Sequence, residues 1–278
     1  MTGIAIRRDA APLVPAAVFG GVLALSAAAW LVLAARMAGM DAGPGGDPGP
    51  AGWFAVSWAV MTAAMMFPAV APAALRAVRA ARGRARAAVP FLAGYGAVWM
   101  IAGLAGYAVV VAIRAAHPSA LAWSADGRYV AGGAILAAGL FQLSGIKRRW
   151  LARCVTLTPS PPGTSAARLL VAGAEHGACC VACCWNLMIA LYALGMMSIL
   201  WMGLLSVLIV AERLLPRRGL AILSSSLLLL LLGTVVAAAP ARVPGLTIPS
   251  AAMTSAPGMQ MGSREVMHSQ TRHTGNMR

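Results

Sequence analysis

Negative charge is scarce in this chain. Its 278 residues include 7 aspartates and glutamates against 22 lysines and arginines, and all charged residues together make up only 10%. With so few carboxylates and no cluster of them, the sequence offers no site for magnesium or calcium, which bind through several oxygens at once. Neither paired carboxylates nor a Ser/His/Asp arrangement can be read, so an enzyme is not expected. A glycine-rich phosphate loop is also missing, which argues against an ATP-driven pump. Of the five cysteines, four fall within six residues; an odd, clustered set is not the disulfide framework of a small secreted domain.

What the chain has in excess is hydrocarbon. Hydrophobic residues make up 60% of it and the mean hydropathy is +0.78, far above what a soluble domain of this length shows. Runs such as "LVPAAVFGGVLALSAAAWLVLAA" (13–35) and "ILSSSLLLLLLGTVVAAA" (222–239) are long enough to cross a bilayer as helices, and no charge interrupts them. The first run exceeds a signal-peptide core and lacks a convincing cleavage site, so it is expected to stay as a span. The formal net charge of +15 would suggest nucleic acid in a soluble protein. Here the basic residues sit in short segments between apolar runs, where the positive-inside bias places them, so no nucleic-acid partner is expected.

Three basic segments set the topology: "IRRD" (6–9), "RAVRAARGRAR" (76–86) and "KRRWLAR" (147–153). Spans near 12–35 and 53–75, then 88–113 and 128–146, bring all three to the cytoplasmic side. The intervening segments "MAGMDAGPGGDPGPAG" (37–52) and "HPSALAWSADG" (117–127) are nearly free of Lys and Arg and belong outside. The apolar stretch before "ERLLPRRG" (212–219) would be about 65 Å long as one helix, twice a bilayer core, so it must break. A hairpin near "GMMS" (195–198) gives seven spans and an external tail; one tilted span gives six and an internal tail. The expected fold is therefore an all-α polytopic bundle of six to seven spans over residues 1–239, in membrane lipid. Residues 240–278 form a polar, flexible tail holding Met253, Met259, Met261, Met267, His268, His273 and Met277, a weak soft-metal signal.

The chemistry concentrates in "EHGACCVACCWNLM" (175–188). Residues four apart share a helix face, so His176, Cys180 and Cys184 form a column, with Cys183 and Cys179 adjoining and Met188 one turn deeper. Imidazole, thiolate and thioether suit cuprous copper; without the thioether they also suit zinc. Cys180-x-x-Cys183 is also the spacing of a thiol redox pair, and free cysteines are good packing residues in lipid. Glu175 either orients His176 or faces water at the helix start, and Glu212 is expected in a surface ion pair with Arg213 or Arg217. In the second span Met61 and Met65 share a face, with Met66 beside it and Pro68 and Pro72 just beyond. Methionines at that spacing are more often packing than ligands, but with Met196, Met197 and Met202 they make up a thioether set.

These residues resemble a bacterial family of predicted metal-binding integral membrane proteins that includes a copper chaperone serving a tyrosinase. The resemblance runs over residues 53–216 through "MTAAMMFPAVAP", "GLFQLSGIKRRWLARC", "EHGACCVACCWNLM" and "GMMSILWMGLLSVLIVAERLLP". The pattern HG-x-x-C-x-x-CCW implies family positions at His176, Cys180, Cys183, Cys184 and Trp185, with Cys179 extra. Of the family's K-x-x-C-L-x-x-C pattern, Lys147 and Cys154 are kept and Trp150 replaces the first cysteine; Ser198 stands where an asparagine is common. The resemblance implies metal, copper foremost, with Cys154 able to join the cluster. The expectation is a multi-pass protein of a bacterial inner or plasma membrane that binds copper and assists a periplasmic or external copper enzyme. A membrane thiol-disulfide oxidoreductase using Cys180 and Cys183, and a structural subunit with packing cysteines, are the rivals.

Overall fold

The computed structural model describes residues 13–37, 49–116, 127–157, 165–195 and 198–243, and among these all regular structure is helical. The helices are α1 (Leu13–Met37), α2 (Ala51–Ala80), α3 (Ala88–Ala116), α4 (Arg128–Gln142), α5 (Gly145–Thr156), α6 (Ala166–Leu194), α7 (Ile199–Leu214) and α8 (Arg218–Ala238). A 3-10 turn, Ala85–Ala87, leads into α3, and another, Pro240–Arg242, follows α8. Among the described residues five helices are long and apolar enough to cross a membrane: α1, α2, α3 with its lead-in turn, α6 and α8. The pair α4 and α5, bent by 64° at the break between them, passes the same test only when taken together, which gives five spans, or six if the pair is one broken span. The seventh expected span is not found, because α7 has 16 residues and is only about 24 Å long at the standard helical rise.

Prolines and glycines decide how these helices meet. Pro68 has no N–H to give the Ala64 carbonyl one turn earlier. That carbonyl is served instead from α1, by Ser26 Oγ at 2.7 Å and Trp30 Nε1 at 3.1 Å, which ties α1 to α2. Between α3 and α6 the backbones nearly touch: a Cβ on Gly173 would stand 2.0 Å from the Phe91 carbonyl oxygen, and one on Gly94 would stand 2.0 Å from that of Leu170. Small residues permit such approach, and without it Tyr95 of α3 would not reach the cysteine face of α6. On the other flank, α8 packs antiparallel to α4 across Gly132 and Gly233, and Ser226 Oγ donates to the Gly139 carbonyl at 2.8 Å.

The apolar stretch after residue 165 breaks at Gly195, whose φ of 102° is open to glycine and strained for other residues. From there α7 runs back along α6, so that Arg213 in its last turn returns to Cys183. This is the hairpin, with a return arm shorter than a full span. Met196 and Met197 lie outside the described residues, as do residues 1–12, 38–48, 117–126, 158–164 and the Met/His segment from residue 244 onward.

The basic segment 147–153 is not a loop. Ser144 caps α5, accepting from the Lys147 backbone N–H at 3.1 Å. In α5 Lys147, Leu151 and Cys154 are buried on one stripe, while Arg148, Arg149 and Arg153 are exposed. The helix thus lies across one end of the bundle and delivers Cys154 into it. The ends of α2, α5 and α7 and the starts of α3, α6 and α8 gather at that same end, which holds most of the described arginines; Arg36, Arg114, Arg128 and Arg242 belong to the opposite helix ends.

Candidate metal centre

The buried face of α6 carries His176, Cys179, Cys180, Cys183 and Cys184. Their partners come from α3, α5 and α7. The His176 ring stands against Phe91 and Tyr95 of α3, with centroids 6.0 and 6.1 Å away. Cys180 Sγ is 3.0 Å from the Tyr95 hydroxyl and also faces Cys184. Cys183 Sγ is 3.5 Å from Cys184 Sγ and 3.9 Å from Cys154 Sγ of α5. Cys179 turns toward Cys154. All five thiols are free and buried.

Arg213 of α7 closes the group. Its Nη2 stands 3.3 Å from Cys183 Sγ, 3.7 Å from Cys154 Sγ and 4.0 Å from Cys184 Sγ. Its Nε is buried without a hydrogen-bond partner. A guanidinium this deeply enclosed, facing sulfurs, which are weak acceptors, is poorly satisfied by its own protein. As the side chains stand, no group of three or more His, Cys, Asp or Glu among the described residues is arranged to hold a metal ion. The cation of Arg213 lies against the very sulfurs that would have to converge. Their spacing nevertheless suits a soft metal: sulfurs bound at about 2.3 Å in tetrahedral array lie roughly 3.8 Å apart.

The methionines fall on the α2 side. Met61 and Met65 are buried on the stripe of α2 that continues through Ala69 and Ala73, and Met66 is buried beside them. Met65 precedes Ala69 by one turn and Met61 by two. Met202 of α7 is also buried, and Ser206 Oγ, one turn further along, donates to the Met65 carbonyl at 3.5 Å. Met188 is half-buried against the core, and Trp185 is exposed with its ring edge-on to Phe141.

Three charged residues depart from expectation. Glu212 makes no surface pair with Arg213 or Arg217; its Oε2 is 2.7 Å from Lys147 Nζ, both side chains being almost fully buried. Gln142 Nε2 donates to Glu212 Oε1 at 2.9 Å, Ser225 Oγ donates to the same oxygen at 2.6 Å, and Lys147 Nζ also donates to Gln142 Oε1. Lys147, grouped by sequence with the cytoplasmic basic segment, is therefore an interior residue. Its signal was the period Lys147, Leu151, Cys154 after a serine cap. Glu175 is exposed in the third turn of α6 rather than at a helix start, because α6 begins at Ala166. Arg213 and Tyr95 were not foreseen at all. Only the adjacency of Arg213 to a glutamate inside an apolar helix hinted that charge was being buried there.

Beside the thiols is a cleft of about 80 Å3, lined by α2, α5, α6 and α7. Cys154, His176, Arg213 and Arg76 all border it, and the half-exposed Leu214 marks its outer rim.

Compared with known families, the chain matches the model described as PpoB2: Copper chaperone over residues 55–236, which include the thiol cluster, Arg213 and the hairpin. No curated protein and no solved structure matches the chain.

Proposed function

Since the chain belongs to the PpoB2 copper chaperone family, we propose that it carries cuprous copper as cargo on Cys154, Cys183 and Cys184, with His176 and Cys180 as neighbouring donors. Copper passes from this cluster to a copper enzyme on the far side of a bacterial inner or plasma membrane. The protein is non-catalytic and copper is its substrate. The observation that carries the reading is the gathering of three sulfurs from two helices around Arg213.

Charge arithmetic supports it. Thiolates are the metal-binding form of cysteine, so Cu(I) on two of them is a complex of charge −1. Placed beside the Arg213 cation it becomes neutral overall, the condition under which charge is tolerated in a lipid-enclosed interior. Softness supports it as well, since sulfur ligands select Cu(I) over harder ions; zinc remains the competitor on thiol and imidazole alone. Met65 and Met61 supply thioethers deeper along α2, ligands that need no deprotonation.

Elemental analysis after anaerobic purification tests the reading. Wild-type protein is expected to carry near-stoichiometric copper, and the double substitution Cys183→Ser with Cys184→Ser to lose it. A wild-type protein free of copper whose thiols close to a disulfide on mild oxidation would sink the proposal in favour of thiol redox chemistry.

A further inference from the structure

The cleft that reaches the thiols is positively lined, the opposite of what would draw in a bare cation. Arg76 of α2, Arg213 of α7 and His176 of α6 all border it. No aspartate or glutamate is among its lining residues. The Nε atoms of both arginines are buried and without a hydrogen-bond partner. Arg213 itself is 6% exposed, so its unmet donor is shut off from bulk water. Two guanidiniums, each with an unmet Nε donor, border a cleft beside a thiol, and charge and hydrogen-bond donors of this kind suit an anion.

We propose that the cleft receives copper as an anionic complex, Cu(I) bound by the thiolates of two molecules of a small thiol that also bears carboxylate. This inference rests on the copper reading above and specifies its donor. Cu(I) held by two thiolates already has charge −1, and each carboxylate adds another, so the lining attracts this form and repels the bare ion. The volume of about 80 Å3 admits the copper–sulfur head and one carboxylate of such a carrier, while the rest stays outside past Leu214. Transfer is ligand exchange. As Cys154 Sγ forms its bond to copper, its proton goes to the carrier sulfur whose bond to copper breaks, so the carrier leaves as a free thiol and copper stays cuprous. Cys183 then follows in the same way, 3.9 Å further in. The cleft lies at the arginine-rich end of the bundle, so loading occurs from that side.

The test uses the full-length protein in detergent, kept anaerobic, with two probes: the Cu(I) complex of glutathione, which is anionic, and the Cu(I) complex of acetonitrile, which is cationic. The quantity read is the ratio of the two uptake rates. Arg76→Gln is expected to shift that ratio about tenfold toward the acetonitrile complex, the loss of one charge-assisted contact. Arg76→Lys is expected to keep most of the wild-type ratio, and added salt to lower it. An unchanged ratio in Arg76→Gln, with wild-type uptake intact, overturns this inference and leaves the copper reading standing. Failure of the wild type to take copper from either probe overturns both.

Discussion

Glu212 and Arg213 are neighbours in α7, yet they enter two buried clusters completed in opposite ways. Glu212 faces Lys147, Gln142 and Ser225, and each of those groups is met by a good partner within the protein. Arg213 faces three sulfurs and keeps its Nε unmet. One step along a helix turns the side chain by roughly 100°, enough to send the first toward α4, α5 and α8 and the second toward α5 and α6. A closed network, charge balanced at zero, fixes the bend between α4 and α5 and the docking of α7. An open one, with a surplus positive charge and soft atoms around it, suits the proposed cargo, which brings negative charge with it. The difference is the ground on which we propose the first as scaffold and the second as site.

The sharpest way to break this contrast is to unpair each cluster in turn. Glu212→Leu strands the Lys147 ammonium in the interior, and a buried charge that loses its partner costs about 3–5 kcal/mol. The expected result is a large fall in the melting temperature of the detergent-solubilised protein, recovered in good part by adding Lys147→Met. Neither change should alter how many copper ions the surviving folded protein holds. Loss of copper with stability intact would show that the closed cluster belongs to the site after all.

Arg213→Gln should do the reverse. It removes a cation that only sulfur accepts, so the copper-free protein is expected to melt close to wild type. Copper affinity is expected to fall about tenfold to a hundredfold, because a unit charge near 4 Å is worth up to about 4 kcal/mol even at the effective dielectric of a partly polarisable site. Competition with a Cu(I) chelator measures this directly. A variant as destabilised as Glu212→Leu that binds copper at wild-type strength would erase the distinction between the two regions.

How much of this was legible in the sequence follows from the same physics. The long apolar runs, the break before residue 199 and the helical column from His176 to Cys184 depend on local periodicity, and the helices α1, α2, α3, α6 and α8 appear where it placed them. The α5 helix and the burial of Lys147 depend on a 64° bend that no hydropathy window records. Arg213 was hidden because four positively charged or polar residues follow a long apolar run there, and the order Glu-Arg reads as a water-facing end. Only the approach of α5 and α6 to the last turn of α7 shows otherwise. Tyr95 lay in an unremarkable apolar run, and what selects it is the glycine contact between α3 and α6, a relation between residues about 80 positions apart.

Tyr95 also offers the finest cut through the site itself. Its hydroxyl, 3.0 Å from Cys180 Sγ, is a polar link between α3 and the thiols. Tyr95→Phe keeps the ring against His176 and removes that link alone, a change of about 1 kcal/mol for a single hydrogen bond, or roughly fivefold in an equilibrium constant. If Cys180 is a copper ligand, the hydroxyl stabilises its thiolate, and the variant is expected to hold copper about fivefold more weakly with its melting temperature little changed. If Cys180 only packs, the cost appears in the melting temperature and copper affinity stays put. We expect the first outcome, because Cys180 also faces Cys184 and so joins the sulfurs that Arg213 gathers to the aromatic wall that holds His176. The second would confine the metal to Cys154, Cys183 and Cys184 and leave His176 and Cys180 to the scaffold.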